Sequence, residues 1–263
     1  MAGDRTFVVP LDGSELAERA VPVAAALARH VGGGLILLTA VRGGPDQPQP
    51  YLDKLAGTVH GVPVEPMVVY DRDAVGAIRL TAAEDDRRVV CMTSHGRGGL
   101  RWAVLGSVAE EIVRATPGPV LVVGRHCARD WRPTGEHLLL CVDGSERSAG
   151  IAADVWPWAD LLGLDLDAAI VIHPLDVESA ERPDALVAPI TTRLRRGDRT
   201  PHVAVLRGSF TAGALADHAD ALPATLVAMA SHGRTGFARL ALGSVTTGVV
   251  NLARCPVLVE GVR

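Results

Sequence analysis

The chain has 263 residues, with 26 Lys plus Arg against 30 Asp plus Glu, a formal net charge of −4, 48% hydrophobic and 21% charged residues. This is an ordinary globular composition, long enough for one large domain or two of about 130 residues, and with no basic stripe it excludes a nucleic-acid footprint. No apolar run approaches the roughly 18 residues of a membrane span. The N-terminus enters Phe7, Val8 and Val9 without a signal-peptide pattern, and the four scattered cysteines form no C-x-x-C pair, so free thiols in a reducing compartment, the cytoplasm, are expected.

Residues 6–11 form an apolar run ending in Asp12-Gly13-Ser14. The run reads as a buried parallel strand, and Ser14 as the N-cap of the helix that follows. The helix should reach about His30 and stop at the glycines of 32–34, with Pro22 kinking or shortening it. Strands at 35–41 and 64–69 flank a Pro- and Gly-rich connection with room for a short helix near 52–59. A helix over 73–84, a strand over 88–93, the stretch MTSHGRGGLRWAVLGS, a helix over 107–115 and a strand over 120–123 complete the first half. Residues 124–137, polar with Pro and Gly, read as a linker. The order then repeats. Strand 138–142 ends in Asp143-Gly144-Ser145, and a helix carrying Pro157 stops at Gly163. Strands at 166–172 and 201–206, a helix over 211–221 and a strand over 225–230 lead to MASHGRTGFARLALGS, a helix over 244–253 and a strand over 257–259.

The two copies keep one constant offset through the second strand, set by Asp12 and Asp143, and a larger one after the third, set by Gly106 and Gly243. The second copy has therefore gained six residues between those strands. That segment ends in Arg193, Arg195, Arg196 and Arg199, a charge run that reads as a solvated loop. Strand–helix alternation gives an α/β fold. The expected architecture is two tandem doubly wound domains, residues 1–124 and 138–263, each an open five-stranded parallel sheet with helices on both faces. Strands one and four meet at the topological switch point, which sets Asp12 beside the first Gly-rich loop and Asp143 beside the second.

A Gly-rich loop leaving such a strand and opening a helix offers bare backbone N–H groups with the helix dipole behind them, a cradle for phosphate. Gly96, Gly106 and Ser107 in the first copy, and Gly233, Gly243 and Ser244 in the second, are the candidates. The only lysine, Lys54, lies outside any Gly-rich loop, so a P-loop is excluded. Arg97 and Arg234 are then either the cationic partners of phosphate or solvated surface arginines. His95 and His232 either contact phosphate or make a structural hydrogen bond. Asp12 and Asp143 accept from a ligand donor, hold an Asx turn, or do both.

The Asp-Gly-Ser strand ends and the S-H-G-x9-G-S loops, present in both halves at matching separation, together with the Pro-Val-Leu-Val terminal runs, resemble the universal stress protein family in its tandem form. The resemblance covers nearly the whole chain. It implies a cytoplasmic, Rossmann-like adenine-nucleotide binder that takes ATP, with Mg²⁺ accompanying it, through the pattern G-x-x-G-x9-G-[ST]. On that basis Asp12 and Asp143 contact the adenosine end, and Val41 and Ile172 lie against adenine. His95, Gly96, Arg97, Gly106, Ser107 and Val108, with His232, Gly233, Arg234, Gly243, Ser244 and Val245, complete the two sites. Family members join domains through their terminal strands, which implies a pseudo-dimer within this chain and leaves a homodimer open. Thr93 and Ala230 stand where the pattern has its first Gly. Ala230 is the smaller departure, so the second site is expected to bind ATP more readily, with Arg193, Arg195 or Arg196 brought over it by the longer connection. With no Ser-His-Asp context, no H-E-x-x-H and no acidic metal cluster, the expectation is a stress-response regulator without enzymatic activity. A scaffold of the same fold that binds no nucleotide, or a slow ATP hydrolase, is the alternative.

Overall fold

The computed structural model describes residues 5–41, 48–71, 73–95, 105–175, 183–231 and 242–261. In the first half, strands β1 (Thr6–Pro10), β2 (Gly34–Val41), β3 (Val64–Tyr70), β4 (Arg88–Thr93) and β5 (Pro119–Val123) alternate with helices α1 (Glu15–Glu18), α2 (Ala20–Val31), α3 (Pro48–Ala56), α4 (Ala74–Ala83) and α5 (Ser107–Ala115). The second half repeats the order. It contains β6 (His137–Cys141), α6 (Glu146–Gly150), α7 (Ala152–Leu162), β7 (Asp165–Ile172), α8 (Pro183–Leu194), β8 (His202–Arg207), α9 (Thr211–Ala221), β9 (Ala224–Ala230), α10 (Ser244–Leu252) and β10 (Val257–Glu260). Among the described residues, no helix is long and apolar enough to cross a membrane.

All ten strands join one sheet, in the order β3-β2-β1-β4-β5-β10-β9-β6-β7-β8. Within each half the pairing is parallel. At the junction it is antiparallel: Val257 faces Val122, Leu258 faces Leu121, and Val259 faces Val120. The terminal strands thus join the halves as expected. Helices cover both faces, so central strands need apolar side chains on both sides; Phe7, Val8, Val9, Val120, Leu121 and Val122 are all fully buried.

The residue after each terminal strand is a glycine whose role is close approach. A Cβ on Gly124 would lie 1.8 Å from the carbonyl oxygen of Val250 in α10, and one on Gly261 would lie 2.6 Å from that of Val113 in α5. Gly261 is the second copy's counterpart of Gly124, and Val250 that of Val113, so the contact repeats about a pseudo-twofold axis. The linker is a packed strap. Cys127 and Trp131 are buried, Ala128 N–H donates to Arg254 O at 3.2 Å, and Arg19 Nη2 donates to Cys127 O at 2.9 Å, so it bonds to both halves.

The helix after β1 is broken at Arg19. Pro22 falls in the first turn of α2, where its missing N–H is not needed. The second half breaks one residue past the matching place, at Ile151, although its proline, Pro157, sits inside α7. The break therefore belongs to the fold, not to either proline. Gly32 and Gly163 end α2 and α7 in the left-handed conformation, with φ of +71° and +67°.

Helix α8 occupies the enlarged connection and corrects the reading of its basic cluster. Arg196 Nη1 bonds Asp160 Oδ2 at 2.6 Å, Arg199 Nη1 bonds Asp160 Oδ1, and the Arg199 guanidinium stacks 4.4 Å over the Trp156 ring. Trp156 Nε1 donates to Leu194 O at 2.9 Å, and Arg193 pairs with Glu146 at 3.6 Å. Arg195 Nε turns back to Gly197 O. These arginines are solvent-exposed, as the charge run suggested, but they are also partnered: Arg193, Arg196 and Arg199 hold α8 and its C-terminal turn to α6 and α7. A charge run shows a sequence reader its sign but not its partners.

Candidate functional site

β1 ends where its chain must turn into α1. Asp12 Oδ1 accepts from Ser14 N–H at 3.0 Å and from Ser14 Oγ at 2.6 Å, Gly13 takes φ +80°, and Ser14 Oγ caps α1 by accepting from Ala17 N–H at 3.2 Å. Asp143, Gly144 and Ser145 repeat this turn, with bonds of 2.9 Å and 2.6 Å to Asp143 Oδ1 and Ser148 N–H capped by Ser145 Oγ at 3.2 Å. Both aspartates hold Asx turns. Asp12 in addition lines a cavity of about 550 Å³ at the carboxyl ends of β1 and β4.

The glycine loops leave and return at one point. Ser94 N–H bonds Val123 O at 3.1 Å, and Gly106 N–H returns to Ser94 O at 2.8 Å. In the second half Ser231 N–H bonds Glu260 O at 2.8 Å, and Gly243 N–H returns to Ser231 O at 2.9 Å. Gly106 and Gly243 are therefore the N-caps of α5 and α10, and neither carries a side chain to satisfy the first-turn N–H groups. In the first half that helix start opens on the cavity, which Gly106, Ser107 and Val108 line together. Gly96, Arg97, His232, Gly233 and Arg234 lie outside the described residues.

The cavity has a polar mouth and an apolar floor. Leu38, Ala40, Ile78 and Met92 line it along with Asp12, His95 and the start of α5. Val41, the expected adenine contact, is not part of the lining; strand residues alternate faces, and Ala40 has the inward position. Ile78 and Met92 were absent from the sequence-based set. Their signal was only that of core residues in an amphipathic helix and an apolar strand, which any buried position gives.

His95 lies at the mouth. Ser94 Oγ is 3.1 Å from its Nδ1, while Nε2 is buried and has no hydrogen-bond partner among the described residues. With Ser94 donating to Nδ1, Nε2 carries the hydrogen and is a donor in want of an acceptor. Leaving it unmet costs about 1–3 kcal/mol. Thr93, in place of the pattern's first Gly, donates its hydroxyl to His95 O at 2.7 Å and so ties down the first turn of the loop.

The second site differs at its floor. Thr246 is buried and is the counterpart of the cavity-lining Ala109; it donates to Ala230 O at 3.0 Å. Ile172 is buried at the end of β7, where Gly208 N–H bonds its carbonyl at 3.2 Å, and Val245, like Val108, is a little over one third exposed. The halves also touch here: Leu242 N–H, next to Gly243, donates to Glu110 Oε1 of α5 at 3.2 Å. Among the described residues no group of three His, Cys, Asp or Glu is arranged to hold a metal ion.

The universal stress protein family model matches residues 5–61, 54–124 and 135–261. The chain belongs to the universal stress protein family. Universal stress protein Rv1996 of Mycobacterium tuberculosis is 34% identical over 205 residues, 70% of this chain and 62% of that relative, so the match spans less than two thirds of that relative's length. A universal stress protein of Mycolicibacterium smegmatis is 31% identical over 224 residues, covering 81% of this chain and 74% of the relative. Among solved structures, a universal stress protein from Archaeoglobus fulgidus aligns over 97% of this chain and 98% of its own, with TM-score 0.63 and 16% identity. A functionally unknown protein, PA1789 from Pseudomonas aeruginosa, aligns over 99% and 93%, with TM-score 0.68 and 19% identity. At those identities the structures establish the fold, which is Rossmann-like and shared end to end.

Proposed function

We propose that this universal stress protein is a cytosolic regulator that binds ATP, and that the first half holds its primary site. One observation carries the reading: His95, whose buried Nε2 has no hydrogen-bond partner among the described residues, and the uncapped start of α5 border the same 550 Å³ cavity. A phosphate group meets both needs, since it accepts from Nε2 and from first-turn N–H groups where the dipole favours negative charge. The apolar floor of Leu38, Ala40 and Met92 suits a purine, and Asp12 suits a ribose or exocyclic amine donor. The volume is that of a small-molecule site. Mg²⁺ would arrive with the phosphates, and the protein's own residues supply binding rather than turnover.

This reverses the order of the two sites expected from the sequence. Ala230 does lack the bulk of Thr93, but Thr246 bonds across to it where the first site has Ala109, and Arg196 and Arg199 are engaged at Asp160. The test is native mass spectrometry for retained nucleotide, followed by calorimetric titration with MgATP of wild type, Gly106→Trp, Gly243→Trp and Asp12→Ala. Gly106→Trp should remove the tighter site, and Asp12→Ala should weaken it by about 1–3 kcal/mol. No retained nucleotide and no heat with wild type would turn the reading to a scaffold. A tighter constant surviving in Gly106→Trp would restore the other order.

A further inference from the structure

A second cleft, of about 510 Å³, lies between the first two helices, the end of α3 and the strap. Its charged lining is Arg19, Arg29, Arg129 and Arg132 against Glu15 and Glu18. Four guanidiniums to two carboxylates is a concentration of positive charge in a chain whose net charge is −4.

The hydrogen bonds of these arginines stand out. Arg19 Nη2 donates to Cys127 O at 2.9 Å, Arg29 Nε to His60 O at 2.8 Å, and Arg132 Nη1 to Asp130 O and Trp131 O at 3.2 and 2.8 Å. All of these acceptors are backbone carbonyls. Glu18 accepts from Tyr51 OH at 3.1 Å. Among the described residues, none of the four guanidiniums forms an ion pair, whereas elsewhere Arg87, Arg88, Arg196 and Arg199 each pair with a carboxylate. Backbone acceptors fix the stems of Arg19, Arg29 and Arg132 and leave further N–H donors of each of these forks unspent. Arg19 is half-buried at the α1–α2 break, held by the strap, so at least one fork is placed by packing. Arginine forks match phosphate oxygens two at a time, a geometry lysine does not offer.

We propose that this cleft is a binding site for a small molecule with two phosphate-type groups, separate from the nucleotide cavity. The four arginines of its lining supply the donors. Because Arg129 and Arg132 belong to the strap and Arg19 and Arg29 to the first two helices, the bound anion fastens the first half to the segment that crosses to the second.

The probe is inorganic pyrophosphate, titrated calorimetrically into the full chain at about 50 mM salt, where screening is modest. The protein carries Gly106→Trp, so that the nucleotide cavity does not compete. Arg29→Gln with Arg129→Gln should raise the dissociation constant roughly ten-fold, the loss expected of charge-assisted bonds. A control removing equal charge elsewhere, Arg79→Gln with Arg147→Gln, should leave it unchanged. MgATP binding by the Arg29/Arg129 variant without Gly106→Trp should match wild type, which separates failure here from failure of the nucleotide reading. No heat with pyrophosphate, or equal weakening in both double variants, would overturn the site.

Discussion

Replacing Gly124 by alanine tests how the halves are held together. The new Cβ would sit 1.8 Å from Val250 O and 3.0 Å from Val250 C. An ordinary contact is roughly 3.4 Å or more, so the chain leaving β5 must move by about 1.6 Å against a helix of the opposite half. Overpacking of this kind costs on the order of 3 kcal/mol. At Gly261 the Cβ would lie 2.6 Å from Val113 O, a shift of about 0.8 Å, and a cost nearer 1 kcal/mol is expected. Gly150 supplies a control of opposite sign. A Cβ there meets nothing within 4 Å, it lies in α6, and alanine should be neutral or stabilise by up to about 1 kcal/mol. Urea unfolding followed by tryptophan fluorescence reports all three, since Trp131 lies in the strap and Trp156 and Trp158 in α7. The order Gly124→Ala well below Gly261→Ala, with Gly150→Ala at or above wild type, is the expected result. A Gly124→Ala protein as stable as wild type to within about 0.5 kcal/mol, the range of an indifferent surface change, would refute this packing of strand exit on helix.

Two further predictions concern charge and thiols. Partial burial alone would push the Asp160 carboxyl up, but the hydrogen bonds and charges of Arg199 and Arg196 outweigh it and hold it below the usual carboxylate range. A depressed folded value means stability that is present above the unfolded value, near 3.9, and lost as pH falls through the folded one. Asp160→Asn should therefore cost about 0.5–1 kcal/mol at pH 7, discounted for the one-third exposure of the carboxylate, and the deficit should vanish in strong acid. A deficit unchanged at pH 2 would assign it to packing. All four cysteines are free and buried, and burial pushes Cys127, Cys141 and Cys255 up to about 12 and Cys91 higher still. A chromogenic disulfide reagent at pH 8 should label almost none of the native thiols and all four in denaturant; rapid native labelling of one would contradict their burial.

The fold was legible because its signals are redundant. Apolar runs, glycine stops at Gly32 and Gly163, and turn residues at Asp12 and Asp143 each occur twice and agree. Ser14, Ser145, Gly106 and Gly243 could be placed because caps and strand ends depend on neighbours in sequence. What escaped depends on neighbours in space. Ala40 and not Val41 faces the cavity, a one-residue matter of pleat. Helix α8 carries Pro183 and Pro189, and its buried anchors Ile190 and Leu194 show no pattern that outweighs them. The strap reads as polar because the buried side chains that fasten it, Cys127 and Trp131, are only two among charged residues. The contact between Glu110 and Leu242 joins opposite halves of the chain, and Thr247 stands where a symmetric partner of Glu110 would be.

The antiparallel pairing of β5 with β10 reverses the sense of every strand on one side of the junction relative to the other. The carboxyl ends of the first half's strands, where the cavity opens, therefore point the opposite way from those of the second half. A duplicated chain built this way faces two directions at once. The described helix starts, Gly106 and Gly243, follow strands that run in opposite senses. Across that reversal Glu110 of one half still reaches the residue before the helix start of the other, Leu242.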